Sequence, residues 1–120
     1  MKRMIRSFKD AFAGLNYCFR TQPNMVIHLV IGMLVLGLSL FLQLSLPELL
    51  LLVTAVFGVL AAEAFNTALE RTVDVATRER NELAHLAKDV AAGAVLLSAF
   101  YALIVGGVIL GTRLWKLVNF

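Results

Sequence analysis

The chain has 120 residues, of which 60% are hydrophobic and only 16% are charged. This composition excludes an ordinary soluble domain, in which about a quarter of the residues carry charge. The apolar residues also occur in long blocks, which indicates membrane spans within one domain, residues 1–120.

The formal charge of +3 is distributed unevenly along the chain. Most Lys and Arg residues lie before the first apolar block or between the second and the third, and only Arg113 and Lys116 follow the third. Because cationic loops are retained in the cytoplasm, this asymmetry predicts a cytoplasmic N-terminus and an external C-terminus. Since topology already accounts for these charges, we predict no nucleic-acid partner.

A surface helix is predicted over residues 3–20. Apolar side chains recur along it at helical spacing, with charged side chains elsewhere on its circumference. Basic residues around an aromatic-rich apolar face are typical of an amphipathic helix in the headgroup region. Pro23 disfavours helix at Gln22, so we predict a break there and a first span over about 26–42.

The second span is predicted over about 47–70. Its uncharged run, 49–62, covers only about 21 Å at a rise of about 1.5 Å per residue. The hydrocarbon core is about 30 Å thick, so the embedded helix must continue through Glu63 and Asn66 towards Glu70. Glu63 is therefore expected to lie deeper in the membrane than Glu70.

The third span is predicted over about 90–110. Small residues at its start, 91–94, allow helix backbones to approach closely in lipid. The predicted fold class is an all-α integral membrane protein with three transmembrane helices and one N-terminal amphipathic surface helix.

A polar stripe marks the second span. At about 100° per residue, its members fall within an arc of about 100°: Glu63, Asn66, Thr67, Glu70 and Asp74. Such a stripe must face protein or water, and an ionisable residue at membrane depth is a functional-site hypothesis by default. The alternative is that these groups only bond neighbouring helices or mark a helix end, which explains Asp74 and Thr67 equally well.

The chemistry of the stripe suits a magnesium-nucleotide site. Mg²⁺ prefers hard oxygen ligands and typically takes one or two carboxylates plus substrate phosphates. Glu70, near the interface, is placed to meet a metal-bound nucleotide from the cytoplasm. Glu63, deeper and partly desolvated, suits a general base, and Asn66 lies one turn from each and can orient either group.

A second polar cluster lies where the third helix enters the membrane. His85, Lys88 and Asp89 share one helical face there. A lysine beside an aspartate can hold phosphate and metal or ribose groups. Alternatively, Lys88 is an interfacial anchor and Asp89 a helix-end charge. The short loop brings this cluster near Glu70 and favours the functional interpretation.

These segments resemble the prokaryotic diacylglycerol kinase family of membrane lipid kinases, including its undecaprenol kinase branch. The specific part is the motif E-A-x-N-x-A-x-E-x-x-V-D over 63–74, together with Ala-Lys-Asp at 87–89. Ser7 to Leu15 also matches. The pair Asn24 and His28 is more similar to the undecaprenol kinase branch.

The resemblance implies transfer of the γ-phosphate of Mg-ATP to the hydroxyl of a membrane lipid, undecaprenol or diacylglycerol. It implies a homotrimer with shared sites in the bacterial inner membrane, with Glu63 as catalytic base and Glu70 as magnesium ligand. Gln22 stands where a second metal-binding carboxylate is expected, and its carbonyl offers less charge. Asn66 and Asp74 have supporting roles, and the implied nucleotide contacts are Arg3, Asp10, Glu70, Glu79, Arg80, Asn81, Lys88 and Asp89.

Two other functions remain open at this stage. One is a non-enzymatic membrane subunit whose buried carboxylates bind ions or a partner, which would need Glu63 but neither Lys88 nor Asp89. The other is a lipid phosphatase, against which the absence of an arginine-rich pocket or an obvious nucleophile counts. A trimer is also expected physically, because three spans and one surface helix can hardly enclose ATP and a lipid headgroup alone.

Overall fold

The computed structural model describes residues 1–119, which form four α-helices joined by short connections. These are α1 (Lys2–Thr21), α2 (Pro23–Phe41), α3 (Leu46–Ala76) and α4 (Glu82–Val118). The last three are each long and apolar enough to cross a membrane. The all-α class and three helices suited to crossing a membrane are therefore confirmed for this part of the chain. The surface position of α1 and the homotrimer stay predictions.

A single residue separates α1 from α2. Gln22 is extended, with φ −115° and ψ 104°, as expected for a residue that precedes proline. Its backbone N–H donates to the carbonyl oxygen of Cys18 at 2.9 Å and closes the last turn of α1. Pro23 then begins α2, where its missing N–H costs no hydrogen bond.

The turn between α2 and α3 is equally tight. Gln43 lies in the left-handed region with φ 51°, and this conformation reverses the chain. Ser45 precedes α3, and its backbone N–H donates to Glu48 Oε2 at 2.9 Å, as in a capping box. Pro47 in the first turn again needs no donor.

The helices α3 and α4 are longer than the predicted spans. They contain 31 and 37 residues. At about 1.5 Å per residue, both exceed a hydrocarbon core of about 30 Å. Their polar ends continue as helix past the predicted spans, and Asn81 Oδ1 caps α4 by accepting from the Ala84 N–H at 3.1 Å. The last turns of α3, 71–76, and the first turns of α4 therefore project together from one end of the layer that the four helices form.

The central helix of the protomer is α3, which packs against α2 and α4 and also contacts α1. The described chain measures 61 × 42 × 21 Å, so it is a thin layer about two helices deep. One row of α3 side chains is buried, at spacings of three or four residues: Leu52, Ala55, Val59, Glu63 and Thr67. The polar stripe thus continues the apolar row that faces the neighbouring helices.

The helices α2 and α3 come close together at Gly32. A Cβ added to Gly32 would lie 2.6 Å from Val56 Cγ1, so glycine permits this contact. Gly93, among the small residues at the start of the third span, makes no such contact within residues 1–119, since a Cβ added there would meet nothing within 4 Å.

Candidate functional site

Glu63 and Thr67 form the buried part of the polar stripe, and each is only 2% exposed. Thr67 Oγ1 donates to the Glu63 backbone oxygen at 2.9 Å, so this hydroxyl is satisfied within α3. Two ionisable groups, His28 of α2 and Glu70 of α3, are close enough to act electrostatically on the Glu63 carboxylate. Glu63 is therefore enclosed by protein, with the imidazole of His28 and the carboxylate of Glu70 nearby.

Asn66 lies between Glu63 and Glu70 along α3. Its Nδ2 donates to Glu70 Oε1 at 3.4 Å. Its Oδ1 is buried and accepts no hydrogen bond from residues 1–119. Seven residues separate Glu63 from Glu70, which is about 10 Å along the helix. An amide with a free acceptor oxygen thus lies between a deep carboxylate and a shallower one.

A cleft of about 780 Å³ opens where α3 and α4 project from the layer. We call it the helix-end cleft; the last turn of α3, the connecting loop and the first turns of α4 line it. It brings together six of the residues predicted from the sequence: Asp74, Glu79, Arg80, Asn81, Lys88 and Asp89. Oxygen acceptors and cationic groups from three consecutive segments therefore meet in one open cleft.

Ion pairs organise one wall of the helix-end cleft. Lys88 Nζ donates to Asp74 Oδ1 at 2.5 Å, and Arg71 Nη1 donates to Asp74 Oδ2 at 3.5 Å. The hydrogen bond from Lys88 is the main reason that the pKa of Asp74, beyond the membrane span, lies below its ordinary value. Along α4, His85 Nδ1 pairs with Asp89 Oδ2 at 3.0 Å. Each oxygen of Asp74 thus has its own cation.

The helix α1 is joined to this network by an aromatic contact. The guanidinium carbon of Arg71 lies 5.8 Å from the centre of the Tyr17 ring, within the range of a cation–π interaction. Neither residue was predicted as a site residue. Their spacing in the sequence does not indicate the contact, because the contact depends on how α1 folds back onto α3.

Other predicted site residues are not brought into the helix-end cleft. Arg3 and Asp10 are exposed on α1, and Gln22 is half-buried at the α1–α2 break. Glu63 and Glu70 lie deeper along α3. Within residues 1–119 no group of three or more His, Cys, Asp or Glu side chains is placed to hold a metal ion. The predicted ligation by Glu70 and Gln22 therefore stays a prediction.

A further ion pair, also missed from the sequence, closes the opposite end of the layer. Arg113 near the end of α4 donates from Nη2 to Glu48 Oε2 at 2.5 Å and from Nε to Oε1 at 3.2 Å. This two-point geometry is the favourable one for arginine and carboxylate. It ties the start of α3 to the last turns of α4, far from the stripe.

Comparison with known proteins agrees with this architecture. Residues 9–110 match the family model of prokaryotic diacylglycerol kinase. The chain is 43% identical over 108 residues to a diacylglycerol kinase of Synechocystis sp., covering 89% of this chain and 62% of that protein. It is 35% identical over 106 residues to an undecaprenol kinase of Bacillus subtilis, covering 88% and 86%. A diacylglycerol kinase of Haemophilus influenzae is 30% identical over 111 residues, covering 92% and 91%.

The chain belongs to the prokaryotic diacylglycerol kinase family. It spans about three fifths of the cyanobacterial relative, at 62%, and most of the other two relatives, at 86% and 91%. The family indicated by the motifs is therefore confirmed. The predicted enzyme class, a phosphotransferase of the lipid kinase type, is confirmed at the level of this family.

Proposed function

We propose that the chain is an ATP-dependent lipid kinase that transfers the γ-phosphate of Mg-ATP to the hydroxyl of a membrane lipid. The observation that carries the proposal is Glu63, a carboxylate only 2% exposed on the helix whose far end forms the helix-end cleft. Desolvating a charged group costs several kcal/mol, so a carboxylate at this depth indicates function more than stability. Membership of the family supplies the reaction class.

Glu63 is the proposed catalytic base. It accepts the proton of the lipid hydroxyl while the hydroxyl oxygen attacks the γ-phosphorus and ADP leaves. A positioned base of this kind typically contributes about 10²- to 10⁴-fold in rate. Its burial keeps bulk water from the reacting oxygen, which favours phosphate transfer to lipid over hydrolysis.

The helix-end cleft is the proposed nucleotide site. Lys88 and Arg80 supply positive charge for the phosphates, and Asp89, Glu79 and Asn81 supply acceptors for ribose and base. Asp74 supports the site by holding Lys88. Arg3 and Asp10 of α1 lie outside the cleft of their own chain, and we propose that they complete the nucleotide contacts in the assembled protein.

The residues around Glu70 fit a magnesium ion. The available donors are carboxylate and amide oxygens, and the free buried acceptor of Asn66 adjoins the Glu70 carboxylate. Mg²⁺ needs only one or two protein carboxylates, so Glu70 together with the Gln22 carbonyl suffices. When bound, the ion offsets negative charge on the phosphates.

The assembly that completes the site is proposed to be a homotrimer with sites shared between subunits. The protomer is a layer only 21 Å thick, and most large apolar side chains of α4 remain exposed. In the proposed topology the helix-end cleft faces the cytoplasm of a bacterial inner membrane, because most Lys and Arg residues lie at that end. The ATP supply of a bacterial cell is on that side.

The lipid substrate is proposed to be undecaprenol or diacylglycerol. The names of the relatives divide between these lipids, and identity alone does not decide between them. Asn24 and His28 favour undecaprenol, since this pair resembles that branch of the family. Both lipids carry a primary hydroxyl on a long hydrocarbon body, so one base and one nucleotide site can serve either.

A labelled-phosphate assay tests the proposal. Purified protein in mixed micelles receives Mg²⁺, γ-labelled ATP and one of the two lipids, and lipid-bound label is counted. Glu63→Gln should lower turnover by at least about 100-fold while retaining nucleotide binding. Glu70→Ala should weaken Mg-ATP binding. Glu48→Gln, a matched loss of charge at the other end of α3, should retain turnover.

Two results would contradict the proposal. Absence of label in both lipids with wild-type protein would favour the non-enzymatic membrane subunit. Wild-type turnover in both Glu63→Gln and Glu70→Ala would leave a kinase but refute the assigned residues.

A further inference from the structure

A second ionisable side chain lies at membrane depth beside Glu63, and none of the roles above uses it. His28 lies in the second turn of α2, inside the first membrane span, and it is half-buried. Ionisable residues within spans are rare and almost always pair with a partner. The partner of His28 follows from how α2 packs on α3.

The helices α2 and α3 run antiparallel, and their register is set where Gly32 meets Val56. One turn from this contact, towards the end that carries the helix-end cleft, lie His28 on α2 and Val59 on α3. Both line the same cavity of about 470 Å³. Glu63 follows Val59 by one more turn on the same buried face of α3. His28 and Glu63 therefore face the α2–α3 contact about one helical turn apart, which is about 5 Å along the helix axis, and His28 is close enough to act electrostatically on the Glu63 carboxylate.

The surroundings leave His28 few other partners. The remaining residues that line this cavity are aliphatic side chains and glycines of α2, α3 and α4. Among the ionisable groups that act on the Glu63 carboxylate, His28 can donate a hydrogen bond, whereas Glu70 adds only like charge. A histidine at the polar end of an apolar cavity, next to a buried carboxylate, is thus suited to orient that carboxylate.

We propose that His28 is a positioning residue for Glu63: an imidazole N–H holds the carboxylate in the orientation that accepts the lipid hydroxyl proton. This inference rests on the proposed function. Without the imidazole, the Glu63 side chain is free to turn away from the lipid hydroxyl. The turnover number kcat for phosphate transfer therefore falls. Nucleotide binding does not change, because the helix-end cleft is built from α3 and α4.

Two nearly isosteric pairs of variants separate hydrogen bonding from packing. Asn and Leu have similar shapes, and so do Gln and Met. Only the two amides, Asn and Gln, keep an N–H donor, and each places it near a different nitrogen of the histidine ring that it replaces. We expect His28→Leu and His28→Met to lower kcat by about 10- to 100-fold, with the KM for ATP unchanged. At least one of His28→Asn and His28→Gln should recover most of this loss. Ser39→Ala, which removes a buried polar group elsewhere on α2, should keep wild-type kcat.

The outcomes distinguish the inference from the proposed function. If wild-type protein phosphorylates lipid and each apolar variant equals its amide counterpart in kcat, His28 does not position Glu63. An equal rise in the KM for ATP in all four variants would also overturn the inference, since it would show general disruption of packing. If wild-type protein labels no lipid, the proposed function itself fails.

Discussion

Lys88 of α4 donates a hydrogen bond from Nζ to Oδ1 of Asp74 at 2.5 Å, and the bond joins the first turns of α4 to the last turn of α3. The sequence had singled out both residues, Lys88 as a nucleotide contact and Asp74 as a support, but not as partners. The pairing explains how Asp74 would support the proposed nucleotide site: it holds the ammonium group of Lys88 at the wall of the helix-end cleft.

The first prediction concerns pH. The folded-state pKa of Asp74 lies below its unfolded value, chiefly because Lys88 donates to it. The pair therefore stabilises the fold above the unfolded pKa of an aspartate, and this contribution is lost as pH falls through the lower folded-state pKa. Both side chains are substantially exposed, so the effect is small and screened by salt. Asp74→Asn should flatten the loss of thermal stability in acid, and an unchanged profile would contradict the pairing.

The second prediction concerns the metal. Gln22→Glu adds a carboxylate where the family resemblance expects one, and affinity for a hard divalent cation rises with ligand charge. The Mg²⁺ concentration for half-maximal turnover should therefore fall several-fold. Gln43→Glu makes the same change in the turn at the other end of α2 and serves as the control. The same Mg²⁺ dependence in both variants would remove Gln22 from the metal site.

The third prediction concerns the α2–α3 contact. Gly32→Ala places a Cβ 2.6 Å from Val56 Cγ1, and a β-branched side chain has little freedom to move aside. Overpacking of this kind costs about 1–3 kcal/mol, measurable as a lower unfolding temperature in detergent. Val56→Ala should restore most of that loss in the double variant. Gly37→Ala, with nothing within 4 Å of the added Cβ, should be neutral or stabilising. An equal loss of thermal stability in Gly32→Ala and Gly37→Ala would disprove the contact.

The fourth prediction concerns the Glu48–Arg113 pair. Removing either charge lowers thermal stability, and the double variant Glu48→Gln with Arg113→Gln should lose less than the sum of the single losses. The coupling should shrink at high salt, because both side chains are partly exposed. Lys116→Gln, a nearby loss of positive charge, should show no coupling to Glu48. Turnover per folded protein should be unchanged in all of these variants, since the pair lies far from the stripe.

Hydropathy and periodicity were enough to predict the membrane helices and the buried face of the second span. A hydrocarbon core of about 30 Å is thicker than the uncharged part of the second span, so the helix was predicted to continue past Glu63. Bilayer thickness limits only the part of a helix that lies in lipid, so the full lengths of α3 and α4, which continue through polar residues, could not be predicted from it. Caps mark those ends, as Asn81 does for α4.

The partners across helices could not be predicted in this way. Glu48 and Arg113 are 65 residues apart in sequence, and Asp74 and Lys88 are 14 apart. Their pairing depends on the packing register of α3 and α4, and a contact such as Gly32 with Val56 sets the register of α2. Single-chain periodicity shows which face of a helix is buried, but not what that face meets.

The enclosure of Glu63 by its own chain also bears on how the protein enters the bilayer. A charged side chain facing lipid at the helix centre costs about 2.5–3.5 kcal/mol on insertion scales. At 2% exposure within one protomer, Glu63 escapes this cost as soon as the neighbouring helices pack on α3. A newly inserted chain therefore does not need a second copy to keep the Glu63 carboxylate away from lipid. In the proposed homotrimer, neighbouring copies would then add substrate contacts to a carboxylate that one chain already encloses.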